Sequence, residues 1–213
     1  MPITVFVADD HAVVREGLAS LLAAQPDIHV VGTAADGRDA VRQVVKLQPG
    51  VVIMDIAMPE MNGIEAAREL RERVPRARVV ILSMHSSAEH VYHALEAGAA
   101  AYLLKESAGQ EIIAAVRTVC AGRRYLSPRI AELVAEGIGR GATANPLERL
   151  SRRERQILQL VAEGRSSTNI GTTLHLSPKT VDTYRSRLMQ KLHVGNVAGL
   201  VKFAIQHGLI SLE

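Results

Sequence analysis

Three short apolar runs rich in β-branched residues constrain the fold more than any other feature of the sequence. They cover residues 3–8, 51–54 and 79–82, where Val and Ile predominate. Continuous apolar runs of this length are typical of parallel strands that are buried on both faces. Segments with apolar residues at helical spacing lie between them, for example residues 14–22 and 40–47. The first part of the chain is therefore predicted to alternate strands and helices.

Weaker strand patterns at residues 29–33 and 100–104 complete the predicted set of strands. Further helical stretches cover about residues 63–73, 87–97 and 109–120. Gly and Pro residues stand at the joints between these segments. Five strands alternating with five helices in about 120 residues predict an α/β fold with a doubly wound, five-stranded parallel sheet. Residues 1–122 form this predicted domain.

The charge of the chain is unevenly distributed. Residues 1–122 carry 11 basic and 15 acidic side chains, a net charge of −4, whereas residues 123–213 carry 14 basic and 7 acidic ones, a net charge of +7. Opposite charge on the two parts predicts two domains, of which the basic one is the candidate for binding a polyanion. An ordinary basic domain with a solvated face is the alternative at this point.

Composition indicates a soluble protein of a reducing compartment. No apolar run approaches the ~18–20 residues that span a bilayer, and the N-terminus lacks the basic start of a signal peptide. Apolar residues make up 47% of the chain, which is enough to bury real cores. The lone Cys120 excludes an intrachain disulfide and a Cys-rich zinc site. We therefore expect a cytoplasmic protein that does not bind membranes.

Charged and polar residues follow four of the predicted strands. Asp9 and Asp10 end the first strand, Asp55 the third and Ser83 the fourth, and Lys105 follows the fifth. In sheets of this class the functional site lies beyond the carboxyl ends of the strands. Three carboxylates there repel each other unless a cation lies among them, and Mg²⁺ suits such oxygen ligands. Helix capping and a surface lysine are alternatives for single residues, but the joint placement favours a functional site.

The first domain resembles the receiver domain of two-component response regulators. The matching motifs are Val7–His11 (VADDH), Met54–Gly63 (MDIAMPEMNG), Leu82–His85 (LSMH) and Tyr102–Lys105 (YLLK). This resemblance implies that Asp55 accepts a phosphoryl group from a sensor histidine kinase and that Lys105 pairs with the phosphoryl oxygens. It also implies that Asp10, Asp55 and the backbone carbonyl of Ala57 bind Mg²⁺ directly, with Asp9 acting through water.

The same resemblance assigns two residues to signal transmission. Ser83 is expected to hydrogen-bond the phosphoryl group, and Tyr102 is expected to be the aromatic switch that follows it inward. A Mg²⁺-dependent phosphohydrolase with Asp55 as nucleophile is the competing hypothesis. Such an enzyme needs an acid–base carboxylate two residues further on, where Ala57 stands. The chain is therefore not expected to be an enzyme.

Three histidines, His85, His90 and His93, cluster near the predicted fourth helix. Residues three apart share a helical face, so His90 and His93 invite a metal-site hypothesis. However, no acidic or Cys partner completes such a site at a clear ligand spacing. We therefore expect an exposed surface that faces a partner.

A linker of residues 123–148 is predicted between the two domains. Residues 137–146 within it are rich in Gly and small residues, which is typical of flexible linkers. A short helix over residues 128–136 is the regular element expected before this stretch. The second domain accordingly covers residues 149–213.

The second domain has an all-helical pattern. Ser151 and Glu154 have the spacing of a capping box, and the Ser177–Pro178 pair is typical of a helix start. Two helices, residues 166–174 and about 178–192, are joined by a tight turn and predict a helix-turn-helix. A helical module whose basic residues are merely solvated is the alternative.

Residues 149–208 resemble the LuxR/FixJ-type DNA-binding domain. The matching motifs are Leu150–Leu158 (LSRRERQIL), Val161–Ser166 (VAEGRS) and Leu176–Val181 (LSPKTV). Together with the receiver they match the NarL/FixJ subfamily of response regulators, which implies binding to double-stranded promoter DNA. Gly171 departs from the Ala that is common at its position. A regulator whose helical domain docks a protein, with DNA secondary, is the runner-up hypothesis.

The second helix of the helix-turn-helix is expected to contact DNA. The resemblance places the base-reading face on Asp182, Thr183 and Ser186. Basic side chains on this helix are better interpreted as phosphate anchors, namely Lys179, Arg185, Arg187 and Lys191. Thr180 and Tyr184 complete the expected contact set. We expect a homodimer on DNA that uses the last helix, about residues 197–207, because this helix offers apolar residues beyond those a small core needs.

Overall fold

The computed structural model describes residues 2–84, 86, 88–107, 109–138 and 146–210. The chain divides into two compact units, Met1–Ala142 and Thr143–Glu213. Within the described ranges, none of the helices combines the length and the apolar character needed to cross a bilayer.

Strands and helices alternate along the first unit, as the sequence predicts. The strands are β1 (Ile3–Ala8), β2 (Ile28–Ala34), β3 (Val51–Asp55), β4 (Arg78–Ser83), β5 (Ala101–Leu104) and β6 (Tyr125–Leu126). The helices are α1 (Ala12–Ala23), α2 (Gly37–Leu47), α3 (Gly63–Arg73), α4 (Ala88–Glu96), α5 (Gly109–Cys120) and α6 (Pro128–Ile138). Neighbouring strands pair in parallel in the order β2-β1-β3-β4-β5-β6. Strand order reverses at β1, so the carboxyl ends of β1 and β3 border the crevice where doubly wound sheets bind ligands.

Both faces of the sheet are covered by helices. In β1, Phe6 and Ala8 pack on one face with residues of α2, α3, α4 and α6, whereas Val5 and Val7 pack on the other face with residues of α1 and α5. All four side chains are buried. Burial on both faces is the physical reason for the continuous apolar runs in the sequence, since alternate strand residues point to opposite faces.

In the part of the chain that the structure describes, the sheet has six strands rather than the predicted five. The additional strand, β6, pairs in parallel with β5 through Tyr125↔Ala101 and Leu126↔Tyr102. Two residues are too few to display a hydrophobic period, so the sequence pattern could not reveal this strand.

The predicted linker of residues 123–148 begins too early. Helix α6 lies within it and packs on the first unit, where Ile130 is fully buried and Leu133 and Val134 pack against the same core. Apolar spacing predicts a helix here, but it does not show whether the helix is docked. Residues 139–145, from the Gly-rich stretch, lie outside the described residues.

The second unit is all-helical, as predicted. Its helices are α7 (Arg152–Ala162), α8 (Ser167–Leu174), α9 (Pro178–Lys191) and α10 (Val197–Gln206), after a 3₁₀ turn at Pro146–Arg149. The predicted helix starts are confirmed. Ser151 and Glu154 form a capping box, and the Ser177 side chain accepts from the Thr180 N–H, with Pro178 in the first turn of α9.

Gly171 allows α8 to approach the turn before α9. A Cβ atom at this position would lie 2.6 Å from the carbonyl oxygen of Leu176, and a backbone oxygen cannot move without shifting the turn. A side chain at position 171 would therefore clash with the turn. Avoiding this clash offsets the cost of about 1 kcal/mol that Gly carries relative to Ala inside a helix.

The docking of α6 leads to a stability prediction. Truncation of a buried Ile leaves a cavity and typically costs about 2–5 kcal/mol. We therefore expect Ile130→Ala to lower the free energy of unfolding of the first domain by an amount in this range, measured by urea denaturation. Glu132→Ala, at an exposed position of the same helix, is the matched control. Equal stability of the two variants would show that α6 is not part of the folded domain.

Candidate functional site

Three carboxyl groups meet at the carboxyl edge of the sheet. Asp9 and Asp10 follow β1, and Asp55 ends β3. One oxygen of each lies within 4.8 Å of the others and of a ring nitrogen of His11. Asp9 and Asp55 are only 1% and 3% exposed. The parallel topology thus brings together the acids that the sequence singles out.

Lys105 joins two of these acids. Its Nζ donates to Asp55 Oδ2 at 2.8 Å and lies 2.8 Å from Asp9 Oδ2. Burial raises the pKa of Asp55 to about 6, although the hydrogen bond from Lys105 opposes this rise. Burial also lowers the pKa of Lys105, but its hydrogen bonds to Asp55 and Asp9 outweigh that effect and leave the pKa above its ordinary value. Lys105 is therefore a fixed cation at the site.

The donor set fits a hard divalent cation. Three carboxyl groups face one ammonium, and Mg²⁺ prefers oxygen ligands of this kind while keeping several waters. Ala57, whose carbonyl is the further expected ligand, lies two residues after Asp55 in the loop before α3. Gly63 lets α3 begin close to the site, because a Cβ atom there would lie 2.0 Å from the carbonyl oxygen of Asp55.

Ser83 and Tyr102 lie on β4 and β5, the two strands that follow β3 in the sheet. Ser83 ends β4 and is 1% exposed, and Tyr102 in β5 is fully buried. Burial raises the pKa of Tyr102 to about 12, against the effect of its side-chain hydrogen bond with Ser83. The Tyr102 ring is therefore in an inward position and contacts the hydroxyl that is expected to sense a phosphoryl group.

Helix α9 presents most of the predicted DNA-contact residues to solvent. The exposed members are Lys179, Asp182, Thr183, Ser186, Arg187 and Lys191. The Thr183 hydroxyl donates to the carbonyl oxygen of Lys179 at 2.9 Å, and the Ser186 hydroxyl donates to that of Asp182 at 3.1 Å. Both hydroxyls thus hydrogen-bond to their own helix one turn back.

Two of the predicted contact residues are partly buried and support the helix. Tyr184 packs against the core of the second unit. The Thr180 hydroxyl lies 2.8 Å from the hydroxyl of Ser177, and the Thr180 N–H donates to the same Ser177 oxygen, which caps α9. Their surroundings favour packing and capping over a direct contact with DNA.

Lys191, predicted as a phosphate anchor, is held in an ion pair. Its Nζ donates to both carboxylate oxygens of Glu154, at 2.9 and 2.8 Å. Burial raises the pKa of Glu154, but the hydrogen bonds from Lys191 and Ser151 outweigh this effect and hold the pKa below its ordinary value. The pair links α9 to the capping box of α7, which favours a structural role for Lys191.

The expected surface of histidines is wrong for two of its three members. His90 and His93 on α4 are each 7% exposed. His85 lies outside the described residues. Of the side chains that the structure describes, His90 and His93 belong to no group of three that could hold a metal ion. Both residues are therefore part of the packing of the first unit.

Comparisons with known proteins agree with this division into two units. Residues 5–117 match the family described as response regulator receiver domain, and residues 148–204 match bacterial regulatory proteins of the luxR family. The chain is a LuxR-family two-component response regulator. The resemblance inferred from the sequence is thereby confirmed.

The regulator is similar to curated relatives over almost its whole length. DegU of Brevibacillus brevis is 37% identical over 99% of this chain and 96% of its own length. NreC of Staphylococcus carnosus is 38% identical over 97% of this chain and 98% of its own length. Relatives named as a transcriptional regulatory protein and an oxygen regulatory protein support a role in transcription control.

Solved structures of response regulators are also similar. A LuxR-family regulator from Aurantimonas sp. SI85-9A1 is 37% identical, covers 65% of this chain and 99% of its own, and has a TM-score of 0.63. The regulator RcsB in complex with DNA is 26% identical, covers 95% of this chain and 98% of its own, and has a TM-score of 0.61.

Sequence reasoning missed Arg15, which supports the acidic cluster of this regulator. Its Nη1 donates to the backbone carbonyl of Asp9 at 2.7 Å and to that of Asp10 at 3.4 Å. A cation near the start of a helix interacts unfavourably with the helix dipole. The position of Arg15 near the start of α1 could therefore have indicated that its side chain has a specific partner. Ser167, which contacts the predicted DNA helix, was missed as well, because it lies 15 residues from its partner Asp182.

The raised pKa of Asp55 predicts how the stability of the receiver domain depends on pH. The folded-state pKa of about 6 exceeds the ordinary value of 3.8, so ionisation of Asp55 destabilises the folded domain as the pH rises from about 4 to above 6. We expect Asp55→Asn to remove a cost on the order of 3 kcal/mol at pH 7.5 in Mg²⁺-free buffer, and little at pH 4.

Thermal unfolding of wild type and variant across this pH range measures the effect. Asp27→Asn, at an exposed acid paired with Arg117, is the control and should bring no gain at pH 7.5. A stability difference between wild type and Asp55→Asn that is the same at both pH values would contradict the raised pKa of Asp55.

Proposed function

We propose that Asp55 accepts a phosphoryl group from a sensor histidine kinase and that this event controls binding of the second domain to promoter DNA. The observation that carries the proposal is the pairing of buried Asp55 with Lys105 at 2.8 Å beside two further acids. A cytoplasmic location stays a prediction from the sequence.

The chemistry follows from the groups at the sheet edge. An Asp55 carboxylate oxygen attacks phosphorus, the P–N bond to the kinase histidine breaks, and the imidazole leaves with the bonding electron pair. With a pKa of about 6, Asp55 is mostly ionised at neutral pH and able to attack. The ammonium of Lys105 offsets negative charge on the phosphoryl oxygens. Asp9, Asp10, Asp55 and the Ala57 carbonyl would hold Mg²⁺, which supplies further charge neutralisation when bound.

Ser83 and Tyr102 are proposed to transmit the signal. A phosphoryl group on Asp55 adds acceptor oxygens and negative charge next to the end of β4. The Ser83 hydroxyl, which now hydrogen-bonds the Tyr102 side chain, would turn to the phosphoryl group. Tyr102, which is already buried in the inward position, would then lose this hydrogen bond, and the change in its packing would alter the surface around α4.

A phosphohydrolase is the less favoured function. Ala57, two residues after Asp55, is apolar and offers no side chain for acid–base catalysis. The families that match the chain are transcription-regulating response regulators. We therefore propose that the aspartyl phosphate is a signal and not an intermediate in turnover of small phosphate esters.

In the second domain, α9 is the proposed DNA-recognition helix. Lys179, Arg185 and Arg187 are proposed to contact phosphates, while the exposed Thr183 and Ser186 read bases in the major groove. The solved RcsB–DNA complex, to which this chain is similar, supports DNA as the partner of the domain.

A homodimer through α10 is the proposed DNA-bound form. Leu200 and Ala204 are fully buried in the domain core, so they are unavailable for this contact. Val197 is 38% exposed, and Val201 and Ile205 are partly exposed. A relative described as two RcsB dimers bound to two parallel DNAs supports the proposal. Two-fold pairing would double the number of base contacts.

The phosphoacceptor is tested by labelling. We expect Asp55→Asn to abolish incorporation of phosphate from a phosphodonor, because it removes the nucleophile, while Asp27→Asn is labelled like the wild type. Asp10→Ala should weaken Mg²⁺ binding in calorimetry, because it removes an oxygen ligand, and slow labelling in parallel. Full labelling of Asp55→Asn would overturn the assignment.

Residues that contact phosphates and residues that contact bases are distinguished by the salt dependence of DNA binding. Lys179→Ala should weaken binding to all duplexes and reduce the log–log salt slope by about 1, because one phosphate contact is lost. Thr183→Ala should instead change the preference among duplexes at a constant slope, measured by fluorescence anisotropy. A change of preferred sequence on Lys179→Ala without loss of affinity would show that α9 is oriented differently.

The dimer contact is tested by a charge in the proposed interface. Val201→Glu should weaken binding to a palindromic duplex, because a carboxylate would be buried between two copies of α10. Gln206→Glu, at an exposed position of the same helix, is the control because it changes the charge by the same amount. Wild-type affinity of Val201→Glu, with circular dichroism showing a folded domain, would contradict the interface.

A further inference from the structure

Three side chains connect the two helices of the helix-turn-helix. The Ser167 hydroxyl at the start of α8 donates to Asp182 Oδ1 at 2.6 Å. Arg185 Nη1 donates to the Ser167 oxygen at 2.9 Å and lies 3.9 Å from Asp182 Oδ1. We call this group of Ser167, Asp182 and Arg185 the interhelical triad. It holds the Arg185 guanidinium between α8 and α9.

The triad changes the charge that α9 presents to DNA. Asp182 is the single acidic residue of α9, whose other charged residues are Lys179, Arg185, Arg187 and Lys191. The Asp182 side chain is 63% exposed, whereas that of Arg185 is only 25% exposed. A carboxylate on this surface repels phosphates, and its partner Arg185 is held back from solvent. Both effects oppose sequence-independent binding, which depends on pairing cations with phosphates.

We infer that Ser167 and Asp182 are specificity-determining residues that act through Arg185. On DNA without the preferred sequence, the triad stays closed and Arg185 makes no phosphate contact. On a site that places a cytosine amino group before Asp182, the carboxylate accepts a hydrogen bond from that base instead. Arg185 is thereby released to bind a phosphate, so that base recognition and backbone affinity rise together. This inference rests on the proposed DNA-binding function.

Retention of Arg185 by Asp182 and simple repulsion of phosphates by Asp182 differ in one measurable respect. If Asp182 only repels phosphates, its neutralisation strengthens binding whether or not Arg185 is present. If Asp182 retains Arg185, the gain depends on Arg185 and includes one additional phosphate contact. A double-mutant cycle between the two positions isolates this coupling.

The test uses the full chain, with and without a small-molecule phosphodonor and Mg²⁺. Wild type, Asp182→Asn, Arg185→Ala and the double variant are titrated with a mixed-sequence duplex and with a duplex enriched by the wild type from a random library. Binding is measured from about 50 to about 200 mM salt, where phosphate contacts change affinity steeply. Glu163→Gln, which removes an acid at the end of α7, is the control for net charge.

Asp182→Asn should bind the mixed-sequence duplex severalfold more tightly and steepen the log–log salt slope by about 1. In the Arg185→Ala background the same substitution should leave the slope unchanged. Ser167→Ala should give part of the gain, because it removes the bridging hydroxyl but keeps the carboxylate. The ratio of enriched to mixed-sequence affinity should fall in both Asp182→Asn and Ser167→Ala.

An equal gain from Asp182→Asn with and without Arg185 would overturn the inference and leave general repulsion as the explanation. An unchanged slope in the wild-type background would overturn it as well. If the wild type enriches no duplex from the library and does not bind the mixed-sequence duplex under either condition, the proposed DNA-binding function fails, and the inference fails with it. The two failures are distinguishable, because the first one leaves wild-type binding intact.

Discussion

The ion pairs of Lys105 are the interaction on which the chemistry of the first domain depends. One ammonium lies 2.8 Å from both Asp55 and Asp9, on a sheet edge where three carboxyl groups converge. Burial opposes ionisation of Asp55, and Lys105 counteracts this effect while leaving the site with more negative than positive groups. That imbalance suits a divalent cation, and the cation together with Lys105 suits a phosphoryl group. The site is therefore reactive at the expense of folding stability, because Asp55 is ionised where burial disfavours its charge.

Topology explains why this site could be predicted from the sequence. Once the apolar runs are assigned to parallel strands, Asp9, Asp55 and Ser83 must meet at one edge, because every strand ends there. Features that depend on contacts between distant residues could not be predicted in this way. The two-residue β6 carries no period, the docking of α6 rests on the burial of Ile130, and Lys191 pairs with Glu154 across 37 residues.

The second domain shows that the charge of a sequence overstates the charge available to DNA. Three basic residues on α9 are exposed, namely Lys179, Arg187 and Lys191, but Lys191 is paired with Glu154. The partly buried Arg185 donates a hydrogen bond to Ser167. These contacts with α7 and α8 stabilise the orientation of α9 but engage two of its cations. The net charge of the sequence includes all of these cations equally, because only the fold determines which of them have partners.

Control of DNA binding by phosphorylation of Asp55 can be measured in a single titration. The phosphorylated fraction, from intact-protein mass spectrometry, and the bound fraction of an enriched duplex, from anisotropy, are measured in the same samples as a phosphodonor is added. We expect the bound fraction to rise with the phosphorylated fraction in the wild type and to stay constant in Asp55→Asn. A bound fraction that stays constant while the wild type becomes fully phosphorylated would contradict it.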